Sequence, residues 1–100
     1  MPIWEASDLA ERLYALFYEY VEDVVEKRGP YREAHLDLIG RWHDDDRVAM
    51  GGALGDPPHG GLIVFRVGDA ADVEAFVAED PYVQNGIVVS HRVEPWNVVT

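Results

Sequence analysis

One stretch of the chain, RLYALFYEYV at residues 12–21, constrains the fold more than any other. Apolar and aromatic side chains fill both alternating sets: Leu13, Ala15, Phe17 and Val21 on one side, and Tyr14, Leu16, Tyr18 and Tyr20 on the other. The period alone also allows a helix that continues from Ser7, but we interpret residues 12–21 as the first β-strand. In a β-strand, successive side chains point to opposite faces of the sheet. A sheet built on this strand therefore needs an apolar cover on both faces, because a large exposed apolar surface is rare on a monomer.

The segments that follow predict the remaining elements of the fold. Pro30 opens a helix that runs to about residue 42, a second strand covers 48–54, and a third covers 62–67. Asp69 caps a helix over 70–79, Pro81 ends it or starts another turn, and 86–95 form a fourth strand. The order βαββαβ predicts an α+β, ferredoxin-like fold, with a four-stranded antiparallel sheet and both helices on one face.

Two helices can cover only one face of that sheet. The third strand, LIVFRV, is apolar on both sides, as the first strand is. We therefore expect the second face to pack against the same face of another copy, which makes the protein a homodimer. We interpret residues 1–100 as one domain, with residues 1–11 as an N-terminal extension.

Composition narrows the classes of partner. Nineteen acidic residues against eight basic ones give a formal charge of −11, which disfavours nucleic acid and anionic membranes. There is no cysteine for a disulfide or a thiolate site, and no signal-like or membrane-spanning apolar run. Because no phosphate loop, haem motif or flavin fingerprint is present, we predict no cofactor, and we expect a cytoplasmic location.

His35 is the first candidate for chemistry. The helical period places it within one arc formed by Tyr31, Ala34, Leu38, Ile39 and Trp42, so it should face the sheet. A histidine there is either a core residue bonded to a carbonyl or an acid/base group. Arg32, one turn earlier, is either an anchor for a carboxylate or a solvated surface residue.

Asp80 is the second candidate. With Val73, Phe76 and Val77 it follows the i, i+3, i+4, i+7 spacing of one helix face. It is either the N-cap of a turn that begins at Pro81 or the partner of His35 where the two helices converge. A carboxylate that accepts from the imidazole would fix its tautomer, as in general acid/base catalysis.

Other polar or aromatic positions carry weaker signals. Gly52 allows either close approach of a ligand to the backbone or a strand bulge. His91 alternates with apolar residues in the fourth strand, which favours a structural or dimer-face role. Trp96 is expected to clamp the last strand to a partner or a helix. The run from His43 to Asp46, with His59 in a nearby loop, is typical of a solvated face, so no metal site is predicted.

Five short motifs together resemble the YCII-like (YciI-related) proteins over about residues 12–98. They are Arg32-x-x-His35-Leu36, Gly51-Gly52-Ala53-Leu54, Asp80-Pro81-Tyr82, Gly86, and Val93-Glu94-Pro95-Trp96. The chain departs from the family pattern in its N-terminal extension and in Ala53, where the family commonly has proline. The extension bears on the dimer edge, and Ala53 bears on the pocket wall.

The resemblance implies a dimeric α+β barrel with a His/Asp pair in a pocket. Residue by residue, that pair corresponds to His35 and Asp80 as catalytic groups, and we assign Arg32, Gly52 and Tyr82 to substrate binding. Related sequences include a chloromuconolactone dehalogenase, and the wider fold includes muconolactone isomerases.

The expected function is therefore a small enzyme of unknown substrate, of an isomerase, lyase or dehalogenase-like kind. It would use acid/base chemistry on a small carboxylate-bearing molecule. The alternative is a non-catalytic dimer that binds a small molecule or assists a neighbouring enzyme.

Overall fold

Four strands and four helices make up residues 11–100, the part of the chain that this computed structural model describes. Apart from its last residue, the predicted extension lies outside the described residues. The elements are β1 (Glu11–Tyr20), α1 (Val24–Lys27), α2 (Gly29–Asp44), β2 (Val48–Leu54), β3 (Gly60–Phe65), α3 (Ala70–Glu79), α4 (Pro81–Gln84) and β4 (Val88–Val98). The strand order is β2-β3-β1-β4 and every neighbouring pair is antiparallel, which confirms the ferredoxin-like fold.

The main core lies between the sheet and the helices. Its buried members are Leu16, Tyr18, Leu38, Trp42, Val48, Ile63, Phe65, Val73, Phe76 and Val77. Trp42, Phe65 and Phe76 pack edge to face, with ring centroids 5.1–5.9 Å apart, a geometry that aromatic pairs favour. Leu16 and Tyr18 belong to the even-numbered set of β1, so this set faces the helices.

Two details of the helical layer differ from the sequence prediction. Ala34 is exposed, because the buried side of α2 is a narrower stripe of His35, Leu38 and Trp42. The short helix α1 was not predicted, since four residues are too few for a periodic pattern.

None of the described helices is both long and apolar enough to cross a membrane.

The predicted ends of β3 and β4 were wrong by two or three residues. The strand β3 begins at Gly60, which the sequence placed in a turn, because glycine fits where the backbone of Tyr18 passes close by. The strand β4 starts at Val88 and runs past Pro95 to Val98. Proline is tolerated there because β4 lies at the edge of the sheet.

The second face of the sheet carries no helix. The odd-numbered residues of β1 share this face with their cross-strand partners, Ala15 with Val64 and Phe17 with Leu62. Trp96, opposite Leu13, lies 47% exposed on the same face. A shallow depression of about 360 Å³ lies there, lined by Ala15, Phe17, Leu62, Glu94, Pro95 and Trp96. This open face is therefore largely apolar.

Replacing Gly60 with alanine should destabilise the fold. An added Cβ would collide with the carbonyl oxygen of Tyr18, and a backbone neighbour cannot swing away. We expect Gly60→Ala to lower the free energy of unfolding by about 1–3 kcal/mol in urea titrations. Gly68→Ala is the matched control, because a Cβ at this exposed position meets nothing within 4 Å. Equal stability of the two variants would contradict this account of β3.

Candidate functional site

His35 and Asp80 meet beneath the helical layer. The buried His35 ring projects from α2, and its Nδ1 lies 2.7 Å from Oδ1 of Asp80. Asp80 sits between α3 and α4 and is fully buried. The two residues are 45 positions apart in sequence, so only the packing of the two helical segments brings them together.

The Asp80 carboxylate accepts two further hydrogen bonds. The Tyr18 hydroxyl of β1 donates to Oδ2 at 2.8 Å, and the backbone N–H of Tyr82 donates to Oδ1 at 3.0 Å. The second contact makes Asp80 the N-cap of α4. The capping role and the pairing with histidine, which the sequence posed as alternatives, thus belong to one carboxylate.

These contacts define which nitrogen of His35 is available. Asp80 as a carboxylate can only accept, so in the neutral imidazole the Nδ1 that faces it carries the hydrogen and Nε2 keeps the lone pair. Nε2 has no hydrogen-bond partner among the described residues. Every buried side-chain nitrogen and oxygen in that part of the chain has one, so Nε2 must be accessible from outside. In that tautomer, Nε2 is the nitrogen that can accept a proton.

Aromatic rings hold the imidazole in its plane. The Tyr82 ring stacks on His35 with centroids 3.7 Å apart and planes only 5° from parallel. The Tyr20 ring meets Tyr82 edge-on at 5.9 Å. With its Nδ1 edge on Asp80 and one face on Tyr82, His35 has little freedom to rotate.

A cavity of about 200 Å³ borders this cluster. Its polar lining residues are Tyr20, Arg28, Arg32, His35 and Tyr82, and its other lining residues are Leu36, Ile39, Gly51, Gly52, Ala53 and Ile63. Pockets for drug-sized ligands usually exceed about 300 Å³. The space therefore suits a small organic molecule.

The tyrosines around the cavity stay protonated well into the alkaline range. Burial, with smaller effects of Tyr82 and Asp80, raises the pKa of Tyr20 to about 12 against a lowering effect of Arg28. Burial also raises the pKa of Tyr82, although Arg28 and Arg32 both act to lower it. Burial, followed by the nearby Asp80 carboxylate, raises the pKa of Tyr18 strongly. At neutral pH these hydroxyls are hydrogen-bond donors.

The structure places the sequence candidates as follows. His35, Arg32, Tyr82 and Gly52 line the cavity, while Asp80 lies behind His35. A strand bulge was the alternative role predicted for Gly52. The irregularity in β2 lies between Val48 and Met50 instead. Gly51 was missed. It pairs with Ile63 on the helix side, where a Cβ would press on the Ile63 side chain at 3.3 Å.

Three further residues of the site were missed at the sequence level. Tyr18 and Tyr20 share the helix-facing side of β1, so their alternation with Leu16 could have placed their hydroxyls near the helices. Arg28 precedes Arg32 by one helical turn, a spacing that is visible in the sequence.

The remaining histidines lie elsewhere. Nε2 of His91 lies 2.9 Å from Glu74 and joins β4 to α3, so His91 is a partly exposed structural contact. His43 is exposed and lies 3.9 Å from Asp44. Within residues 11–100, no group of three or more His, Cys, Asp or Glu side chains is arranged to hold a metal ion.

Comparison with known proteins gives a family and a fold neighbour. The family model described as YCII-related domain matches residues 12–97. Among solved structures, the chain is similar to 5-chloro-2-hydroxyhydroquinone dehydrochlorinase from Burkholderia phenoliruptrix AC1100, in complex with 2,5-dihydroxybenzoquinone. The TM-score is 0.71 at 20% identity, over 84% of this chain and 92% of the other, which is a likeness of fold. A search of curated proteins gives no match.

Removing the Tyr18 hydroxyl should weaken the fold through Asp80. Tyr18→Phe deletes one of the three donors to a buried carboxylate, so we expect the free energy of unfolding to fall by about 1.5–3 kcal/mol. Tyr14→Phe is the control, because the same strand presents that hydroxyl without a hydrogen-bond partner among the described residues. Chemical denaturation of both variants tests this, and equal losses would argue against the hydrogen bond as the cause.

Proposed function

The chain belongs to the YCII-related family, whose model spans residues 12–97, and we propose that it is a small enzyme in which His35 exchanges a proton with a small carboxylate-bearing molecule. One observation carries this proposal. Nδ1 of His35 is held by Asp80 at 2.7 Å, while Nε2 is left without a partner beside the cavity. A fixed imidazole with one free nitrogen is suited to general base catalysis.

Each residue has a defined role in the proposed reaction. Nε2 of His35 takes a proton from a carbon next to a carbonyl or carboxylate, and Asp80 compensates the imidazolium that forms. The released electron pair then expels a leaving group, which is an elimination, or the proton returns at another carbon, which is an isomerisation. Arg32 at the cavity holds the carboxylate of the substrate.

The fold neighbour supports the elimination branch of this proposal. It is named as a dehydrochlorinase. Loss of hydrogen chloride from an organic molecule combines removal of a proton with departure of chloride, so a base such as His35 could serve that reaction class. The analogy is one of fold, and the reacting residues are argued from this chain alone.

Exchange of carbon-bound hydrogen with solvent provides a direct test. We would follow a panel of keto acids, unsaturated acids and lactones in D2O by NMR, in the presence of the full chain. If a panel member exchanges, His35→Gln should slow the exchange by about 100-fold or more, because the base is lost. His91→Gln is the matched control, since this histidine contacts Glu74 outside the cavity.

The outcome separates the two candidate functions. Equal exchange rates for wild type and His35→Gln would reject the catalytic role. Binding of panel members at the cavity without any exchange would favour the alternative, a non-catalytic ligand-binding or accessory module. In that case the His35–Asp80 contact would serve stability alone.

We further propose that two copies pack through the open face of the sheet, which is the homodimer expected from β1. The face exposes Trp96 and Met50, which are 47% and 65% exposed, beside half-buried Leu62 and Phe17. Burial of such a surface is a strong driving force for association.

Placing a charge in that face should separate the copies. Leu62→Glu puts a carboxylate at the centre of the proposed interface, so sedimentation velocity should show a monomer where the wild type is a dimer. Val25→Glu, on the exposed side of α1, should leave the dimer intact. A monomeric wild type would overturn the proposal.

A further inference from the structure

Arg28 is a cavity residue that neither the sequence motifs nor the His/Asp pair accounts for. It lies at the junction of α1 and α2, with a helical backbone of φ −73° and ψ −18°. Its N–H donates to the carbonyl of Val24 at 2.8 Å, and its carbonyl accepts from Tyr31 at 2.9 Å. Positions 28 and 32 are one helical turn apart, which sets their Cβ atoms about 5–6 Å from each other. Both side chains line the cavity.

Neither guanidinium is neutralised within residues 11–100. Arg28 and Arg32 make no ion pair there, although the chain has nineteen acidic residues and only eight basic ones. Elsewhere in the fold arginine finds a carboxylate readily, as Arg47 does with Asp45 at 2.9 Å. Two unpaired cations beside one cavity therefore leave a local positive charge in an acidic protein.

The other polar side chains of the cavity are mostly donors as well. The hydroxyls of Tyr20 and Tyr82 have no hydrogen-bond partner among the described residues, and both tyrosines line the space. Arg28 and Arg32 each act to lower the pKa of Tyr82, which places both cations within electrostatic reach of its hydroxyl. Nε2 of the neutral His35 ring is the one polar group in this set that accepts without also donating. A ligand that satisfies the set must be rich in acceptor oxygens.

We propose that the cavity takes a small organic dianion, with Arg28 binding a second anionic group beside the one held by Arg32. A guanidinium binds one carboxylate through two parallel hydrogen bonds, so two of them suit two carboxylates or a carboxylate and an ionised hydroxyl. A monoanion would leave one of the two guanidiniums without a counter-ion at the cavity. The inference rests on the cavity of the proposed function and narrows its substrate class from one anionic group to two.

Matched pairs of probes test the charge requirement. Isophthalate and benzoate share a ring, and glutarate and butyrate are both short aliphatic chains, but the first of each pair carries a second carboxylate. We would titrate each probe into the 15N-labelled full chain at constant ionic strength and follow the amide signals of the cavity residues, since salt screens exposed charges. In the wild type, at least one dianion should bind about tenfold or more tighter than its monoanion partner.

Two variants assign that preference to a residue. Arg28→Gln should bring the dianion down to the affinity of its monoanion partner, while monoanion binding changes less than about twofold. Arg32→Gln should weaken both members of each pair. Arg41→Gln is the control, because this arginine lies in the last turn of α2 and lines no part of the cavity.

The results separate this inference from the proposed function. Three outcomes would each overturn the dianion site. They are equal affinities within both pairs, no binding of either dianion, and an equal fold loss of affinity for the dianion and its monoanion partner in Arg28→Gln. Dianion preference without proton exchange by His35 would reject the enzyme and retain the site. Proton exchange on monoanions without dianion preference would reject the dianion site and retain the enzyme.

Discussion

Burial of the Asp80 carboxylate is the constraint on which the rest of the site depends. A carboxylate removed from water is costly unless donors replace the lost solvent. Here the donors come from three elements: Tyr18 from β1, His35 from α2 and the N–H of Tyr82 from α4. Displacing any one of these elements would leave a charged oxygen less well satisfied. The stability of the fold and the orientation of the imidazole therefore depend on the same oxygens.

Two glycines near the cavity affect its shape because they have no side chain. A Cβ at Gly61 would lie 2.6 Å from the Tyr20 hydroxyl, and one at Gly51 would lie 3.3 Å from Ile63. Both glycines lie in the β2–β3 pair, below α2. The two glycines thus leave room for the Tyr20 hydroxyl and the Ile63 side chain, which both line the cavity. Tyr82, stacked on His35, covers one face of the imidazole ring. Asp80 on the Nδ1 edge and Tyr82 on one face leave the Nε2 edge of His35 as the side open to a ligand in the proposed function.

Local signals in the sequence predicted much of this arrangement. The bounds of β2 and α3 were obtained directly, because a charged turn precedes β2 and the Asp69 cap begins α3. The ends of β3 and β4 were not, because pairing with the neighbouring strands decides where each of these strands starts and stops. The helical period likewise predicted that His35 and Asp80 face inward. The bond from Tyr18 to Asp80 joins residues 62 positions apart and depends on strand register and rotamer, which no local pattern encodes.

A net negative charge combined with two arginines at the cavity has different consequences for large and for small anions. A net charge of −11 repels any long polyanion, whose many charges interact with the whole surface at once. A compact anion experiences that repulsion only within about 8–10 Å at physiological salt, and beyond this distance it is screened. At the proposed site, it would meet the guanidiniums of Arg28 and Arg32 at close range. The charge distribution would therefore favour metabolite-sized anions over nucleic acids and phospholipid surfaces.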